Sequence, residues 1–451
     1  MPDKSKNIVP NTVKALSPES YILDYIQLIN HRSSASDPID IQSIVTEFSI
    51  TESIYSPGLV FTCSIKDSTN LIENYQLNGQ EIIRVSMQRE EPDGSYYSTK
   101  LDFYVTDYPL YAKVDQITQV FKITGVSPHV FTSDLKKISR AIKSKTTAEE
   151  IKKIISEDLM TDVVLNGDAT SMMTGIIPRM NPLKAADWLL GKTYDSKFSP
   201  FFLYQVLNNG TVFLSSYQNL ISAGVYNIYE DKKLHISEAS REDSKVESLY
   251  YEKKNKILSM NSNYGVSKIF PAVSGAYASE TVLVDLGTKK LTKSKFAYKT
   301  PSVSLNGKPS LKTDLAYSFS RSESKTLPEA SDSFQVFLNT NSLSPQSYSM
   351  LDSGLKTATR RSNLENMEYM THELVLYGDF NLRSGSVIEL RIVKSADARV
   401  IRNSKIDSGQ SPIYDSVLSG KYIVTGIQHD FGSEYYCKVR VKKDTPIFEL
   451  K

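Results

Sequence analysis

A three-strand pattern occurs twice in this chain, the second copy lying roughly 310 residues after the first. The first copy runs Leu77-Asn-Gly79-Gln-Glu-Ile82-Ile-Arg-Val85-Ser-Met87, then Phe103-Tyr-Val105-Thr106, then Val120-Phe-Lys-Ile123-Thr-Gly-Val126. The second runs Leu382-Arg-Ser-Gly385-Ser-Val-Ile388-Glu-Leu390-Arg-Ile392, then Tyr422-Ile-Val424-Thr425, then Tyr436-Cys-Lys-Val439-Arg-Val441. Each copy reads as a turn, a strand, a gap, a strand, a reversal and a strand. A doubled β-module restricts the chain to folds in which two similar sheets coexist. Gly79 and Gly385 fall at the turns, where a tight reversal fixes strand register.

The rest of the chain divides around these copies. Residues 1–19, with Pro2, Pro10 and Pro18, read as a flexible arm. Residues 20–128 form the first β-module. There Leu59-Val60-Phe61-Thr-Cys63-Ser-Ile65 alternates as a half-buried strand does, and Glu90-Glu-Pro-Asp-Gly94 marks a hairpin tip. Residues 129–225 read as an inserted α/β domain. It contains a capping signature in Ser144–Ile155, where threonine (Thr146, Thr147) precedes the acidic Glu149 and Glu150 and then an apolar stripe, a helix opening at Asn181-Pro182 and carrying Trp188, and a hairpin around Asn208-Asn-Gly210. The helix around Trp188 is expected to support a β-module from outside, with an exposed anchor as the other reading. Residues 226–268 and 365–447 make up a split second β-module. Residues 269–364 are an insertion domain with a strand at Gly275–Asp285 and a solvated, Lys-rich edge at Lys289–Lys295. A helix is expected at Arg361–Met370, leading directly into a strand at Glu373–Tyr377. The fold class is mainly β with α+β insertions.

Charge sets a limit on function. Lys+Arg numbers 53 against 51 Asp+Glu, a net charge of +2, so nothing points to wrapping nucleic acid. The two cysteines, Cys63 and Cys437, fall in predicted strands and read as buried thiols. The opening residues lack the apolar core of a signal peptide, and no apolar run reaches membrane-spanning length, so cytoplasmic folding is expected. His31, His129, His235, His372 and His429 are scattered without metal-binding spacing. Nucleophile-elbow, dinucleotide and P-loop motifs are absent. Glu149/Glu150 and Glu90/Glu91 are neighbours whose side chains diverge rather than converge on one bond. His429-Asp430 reads as a strand end entering a hairpin at Phe431-Gly432-Ser433. The expectation is therefore a non-enzyme with no catalytic, cofactor-binding or metal-binding residues and no cofactor.

Several short stretches, taken in order, carry a resemblance. Ser49-Ile-Thr-Glu-Ser-Ile54-Tyr55, Gly58-Leu-Val-Phe61, Lys66-Asp67-Ser68 and Leu77–Ile83 resemble the opening module of the baseplate central hub of T-even-like contractile-tailed bacteriophages. Gly378-Asp-Phe-Asn381-Leu382-Arg-Ser-Gly385 and Tyr422–His429 resemble its second module. Gly275-Ala-Tyr277-Ala-Ser279, Asp285-Leu286 and Phe296-Ala-Tyr298 resemble its large insertion. The resemblance implies two tube-like antiparallel β-barrel modules and a homotrimer that adapts a six-fold tail tube to a three-fold spike while lining the DNA channel. The implied partners are a trimeric spike or needle protein (with or without a lysozyme), a tail-tube or tube-initiator protein, baseplate wedge proteins and the tape measure protein. DNA would pass without specific binding, along a neutral to acidic wall. The implied location is the virion tail baseplate, assembled in the host cytoplasm. Two other readings stand beside it: the hub or spike base of a bacterial type VI or tailocin-like injection system, and a carbohydrate- or receptor-binding tail protein.

Overall fold

A computed structural model describes residues 17–30, 38–231, 246–263, 275–285, 289–297, 305, 316–320, 323–326, 333–339, 350–368, 370–393, 414–415 and 417–444. Most of the expected N-terminal arm, and the stretch joining Asp285 to the Lys-rich strand, lie outside these residues.

The first module contains β1 (Ile22–Ile29), β2 (Ile39–Asp40), β3 (Val45–Ser53), β4 (Val60–Asp67), the short α1 (Leu71–Asn74), β5 (Ile82–Glu90), β6 (Tyr96–Asp107), β7 (Tyr111–Lys113) and β8 (Gln119–Val126). The intervening segment contains α2 (Pro128–Leu135), β9 (Ile138–Thr146), α3 (Thr147–Lys153), β10 (Val163–Asn166), β11 (Met172–Met180), α4 (Pro182–Leu190), β12 (Phe201–Gln205), β13 (Val212–Ser216) and α5 (Tyr217–Ser222). Next come β14 (Val225–Asp231), α6 (Val246–Lys254) and β15 (Ser259–Asn263). A second insertion carries β16 (Ala278–Asp285), β17 (Lys290–Ala297), β18 (Ala316–Ser320), β19 (Glu323–Thr326) and β20 (Phe334–Asn339). The chain then forms α7 (Met350–Met367), β21 (Met370–Tyr377), β22 (Val387–Ile392), β23 (Gly420–Phe431) and β24 (Tyr435–Lys443).

The duplication is topological as well as sequential. In the first module the strands pair in the order β1-β5-β6-β8-β4-β3, and in the second in the order β14-β22-β23-β24-β21-β15. Numbered along the chain, the two orders are the same. Even an irregularity repeats: the β6–β8 ladder bulges between Val105 and Asp107, and the β23–β24 ladder bulges between Val424 and Gly426. These are equivalent positions in the two sequence copies. Bulges bend a sheet and fix its register, so both modules turn the same corner. The copies differ at one rim, where β1 runs antiparallel to β5 but β14 runs parallel to β22.

Alternation explains why these segments are strands. In β8 the pattern Gln119-Phe121-Ile123-Gly125 faces inward, and in β24 Tyr435-Cys437-Val439-Val441 does the same. Strands from both ends of the first module's order, through Ile26 and Ile50, reach one apolar core, so the six strands wrap around it as a small barrel. That core continues without a break into the second module, through Leu374, Ile388, Tyr422 and Val439.

The intervening segment has its own core, built from Ile151, Ile154, Ala185, Leu189, Phe201 and Leu214 among others. β12 and β13 form the expected antiparallel hairpin across Asn208–Gly210, and β10 joins β13 in parallel. Thr146 caps α3 with the full reciprocal bonding to Glu149. Asn181 sits at the N-cap of α4 but makes no capping bond. Ser133 of α2 instead accepts from the Leu183 N–H at 2.9 Å, while the Asn181 amide contacts Asp134 and Lys137. Trp188 is half-buried in this segment's own core, with Lys192 Nζ 5.1 Å from its ring centroid. It is therefore neither propped on a β-module nor presented as a free anchor. The segment buries part of Trp188 itself because α3, α4 and its two small sheets already enclose an apolar interior.

β17 lies at the rim of a small three-stranded sheet with alternating exposed side chains, matching the expected solvated edge. α7 begins before the expected Arg361, and β21 begins at Met370.

Candidate functional site

The place where the copies meet is the most constructed part of the molecule. β3 of the first module pairs antiparallel with β23 of the second, Phe48 opposite Phe431 and Ser53 opposite Gly426. This one ladder fuses both modules into a 14-stranded sheet. Aromatic rings cross the joint in sequence. Tyr435 stacks on Phe431 at 4.4 Å, Phe431 on Phe48 at 4.7 Å, Phe48 tilts onto Phe61 at 5.9 Å, and Phe61 stacks on Phe103 at 5.0 Å. Offset stacking adds to the area such rings bury, so the joint is held by packing as well as by ladder bonds.

Glu52 lies on β3 inside this joint and is 1% exposed. Its carboxylate accepts the Leu207 N–H at 2.6 Å and also the Ser384 N–H. One side chain thus ties the first module, the intervening segment and the second module's turn. Burial pushes Glu52 up to about 7, against the pull of the two backbone donors.

A second tie closes the other end. Arg89, at the end of β5, donates to the Gly378 carbonyl at 2.9 Å, to the Pro18 carbonyl at 3.0 Å and to Tyr250, and its Nε lies 3.1 Å from Glu91. Lys254 of α6 bridges Glu91 at 3.1 Å and Asp379 at 3.5 Å. Buried charges of both signs are matched here across the modules, as burial requires.

Ladder partners place alternate residues on one face, so the joint also makes the outward face continuous. Across it run Glu373, Arg440, Gly426 and Ser53 in one row, Val375, Lys438, Gln428, Thr51 and Val60 in the next, and Tyr436, Asp430, Ser49 and Thr62 in the row after that. The face is mostly polar, and the three outward cations of β24 each meet an acid, whereas Lys443 turns inward and donates to the Val417 and Ser419 carbonyls. Lys438 lies 2.8 Å from Asp430, Arg440 lies 2.7 Å from Glu373, and Lys442 lies 2.5 Å from Glu368.

The turn glycines take the backbone conformation their positions demand, with φ +84° at Gly79 and +89° at Gly385. Glu81 accepts the Asn78 and Gly79 N–H groups at 2.8 Å each, and Gly385 N–H donates to Val424 O at 2.8 Å.

His429 is fully buried with Nδ1 2.8 Å from the Tyr435 hydroxyl, at the strand end that leads through Gly432 into β24. Burial pushes it down to about 3. His372 is also buried, with Nε2 2.9 Å from the Tyr422 hydroxyl, and burial and then the charge of Lys443 push it down to about 4. Both rings are therefore neutral packing groups. Burial likewise pushes the Cys63 and Cys437 thiols up to about 12, which leaves them protonated and unreactive. Among the described residues no group of three or more His, Cys, Asp or Glu could hold a metal ion. No helix among them is long and apolar enough to cross a membrane.

Glu52, Arg89, Lys254 and Asp379 were not distinguishable from surface charges in the sequence. The only hint was Glu52 at an inward-facing position of an alternating strand.

No protein-family model matches the chain, and no curated protein sequence does. Among solved structures it is similar to a tail protein from Neisseria meningitidis MC58, with 12% identity over 93% of this chain and 96% of that one and a TM-score of 0.48. It is similar to the 43 kDa tail protein of prophage MuSo2 from Shewanella oneidensis, with 10% identity, 94% and 100% covered and a TM-score of 0.49. A third is the E. coli c3393 protein, a type VI secretion component with structural similarity to the T4 tail proteins gp27 and gp5, at 9% identity, 90% and 76% covered and a TM-score of 0.41.

Proposed function

We propose that this chain is a structural tail protein, the trimeric central hub of a contractile tail baseplate, matching a six-fold tube to a three-fold spike. The observation that supports this most is the pair of barrels with one strand order, joined edge to edge in a single sheet. Three such chains arranged about an axis present six similar modules while remaining a true trimer. The stretches that resemble the hub family fall on this frame: Ser49–Tyr55 spans the end of β3 and the turn after it, and Gly378–Gly385 leads into β22.

In this reading the continuous polar face is the wall of the bore. Its outward β24 cations are each neutralised by an acid, which takes them out of any basic ring on which phosphates would stall. The spike, tube, wedge and tape measure proteins are the partners, and the virion tail is the location. The five modular segments read from the sequence are its proposed domains. The buried titratable groups act in packing and joining, and the proposed role involves no catalysis.

Light scattering on the purified chain, with electron microscopy, tests the proposal. A trimer forming rings with a central hole is the expected result. A monomer that binds glycans would replace this reading with a carbohydrate-binding one.

A further inference from the structure

The internal joint shows how one module grips the next, and each half of that grip has an unused counterpart. Ladder registers define the counterparts. Asn261 of β15 stands opposite Glu373, which stands opposite Arg440. Ser49 of β3 stands opposite Thr62, which stands opposite Thr124. Arg440 and Thr124 are the same position in the two copies, so β15 is the second module's equivalent of β3. By the same reasoning Tyr111, Ala112 and Lys113 of β7 pair with Phe121, Val120 and Gln119 as His429, Asp430 and Phe431 pair with Cys437, Tyr436 and Tyr435. The segment from Asp107 to Lys113 is therefore the first module's equivalent of the half of β23 that receives β3.

Both counterpart edges are uncovered among the described residues. β15 pairs only with β21, and β7 only with β8. Four of the five β15 residues and all three of β7 are exposed. Apolar side chains crowd the second edge: Leu110 is 44% exposed, Tyr111 52%, Val114 65% and Ile117 71%. An open strand edge beside exposed apolar groups is a template for another strand, and natural proteins cover such edges.

We propose that β15 of one copy pairs antiparallel with the Asp107–Lys113 edge of the next copy of this chain. The register follows from the internal joint, in which Ile50 faces His429, Ser49 faces Asp430 and Phe48 faces Phe431. Transferred to the counterparts, Ser262 faces Tyr111, Asn261 faces Ala112 and Met260 faces Lys113. The contact is head-to-tail: each copy offers β15 at one end and β7 at the other, so it repeats around an axis rather than making a two-fold pair, and the three-fold reading above closes it as a ring. It rests on the ring reading above but adds which strands meet and in what alignment.

The test is a cysteine pair in the full-length chain. Residues directly opposed across an antiparallel ladder hold their Cβ atoms about 5 Å apart, within disulfide reach after small adjustment. Ala112→Cys combined with Asn261→Cys should cross-link on air oxidation and run as a covalent trimer on a non-reducing gel. Each single substitution should not, and Ala112→Cys combined with Ser259→Cys should not. The native Cys63 and Cys437 are buried and add no background. A trimer by light scattering that resists the Ala112/Asn261 cross-link, or cross-links only in the shifted pair, overturns this edge assignment and leaves the ring reading standing. A chain that remains monomeric overturns both.

Discussion

The two barrels share a strand order, a bulge and a turn glycine, yet their equivalent edges are used differently. In the second module the outer half of β23 is covered by β3, and His429 and Phe431 are buried there. In the first module the equivalent strand is broken around Pro109 into β6 and β7, and its side chains are exposed. Duplication supplies two copies of every edge. One pair is consumed inside the chain, and the other is left outward-facing with a matching register. The interiors diverge as well. His372 in β21 occupies the place that Phe61 holds in β4, so the second core carries a titratable ring where the first carries a hydrocarbon one.

The comparison breaks most sharply at the joint. Phe431→Ala removes the ring of the aromatic series that is stacked between Tyr435 and Phe48 across the joint and should cost about 4 kcal/mol of unfolding free energy in chemical denaturation. Phe103→Ala, at the far end of the same series, should cost less, because only one neighbouring ring contact is lost there. Equal losses would mean that the joint is not the mechanical centre. Glu52→Ala leaves the Leu207 and Ser384 N–H groups buried without acceptors and should cost about 3 kcal/mol by the same measurement. A near-neutral result would show that Glu52 is not the three-way tie.

Acid should distinguish the two cores. His372 and His429 have folded values of about 4 and about 3, below the ordinary 6.5. Between those values the unfolded chain binds protons that the folded chain refuses, so stability falls as pH drops below 6.5. A histidine kept neutral at pH 5 costs about 2 kcal/mol in this way. His372→Phe, which copies the first module's residue into the second, should flatten melting temperature against pH between 6.5 and 4. An unchanged slope would place the acid sensitivity elsewhere. Glu52 acts in the opposite sense: its folded value of about 7 lies above the ordinary 4.5, so its contribution declines as pH rises from 4.5 towards 7.

The turn glycines give the smallest contrast. A Cβ at Gly385 would lie 3.0 Å from the Tyr204 hydroxyl, whereas one at Gly79 would meet nothing within 4 Å. Both positions need positive φ, so Gly79→Ala should cost about 1 kcal/mol and Gly385→Ala about 2 kcal/mol, read as denaturation midpoints. The reverse order would mean that the crowding at Gly385 relaxes freely.

What could be read in advance follows from what is local. Alternation located β4, the repeated pattern located β8 and β24, Asn208–Gly210 located a hairpin, and the threonines ahead of Glu149 and Glu150 located the start of α3. The joint was invisible because a period of two says that a strand has neighbours but not which ones. Ser53 and Thr425, in contact through a 3.1 Å hydrogen bond, are 372 residues apart. Glu52, Arg89 and Asp379 look like solvated charges until distant segments fold over them. Asn181 had the right identity for a cap, but Ser133 from another helix took that role, a tertiary substitution that no local pattern encodes.

The pairing of β3 with β23 also sets a timetable. A ribosome emits β3 early, and the strand that shields it emerges only after the long intervening stretches have been translated. Throughout that interval the nascent polypeptide displays a raw hydrogen-bonding seam to its surroundings, including to sister chains on the same message. Slow synthesis should therefore favour premature tangling, and a chaperone that masks this seam should raise the yield of soluble product.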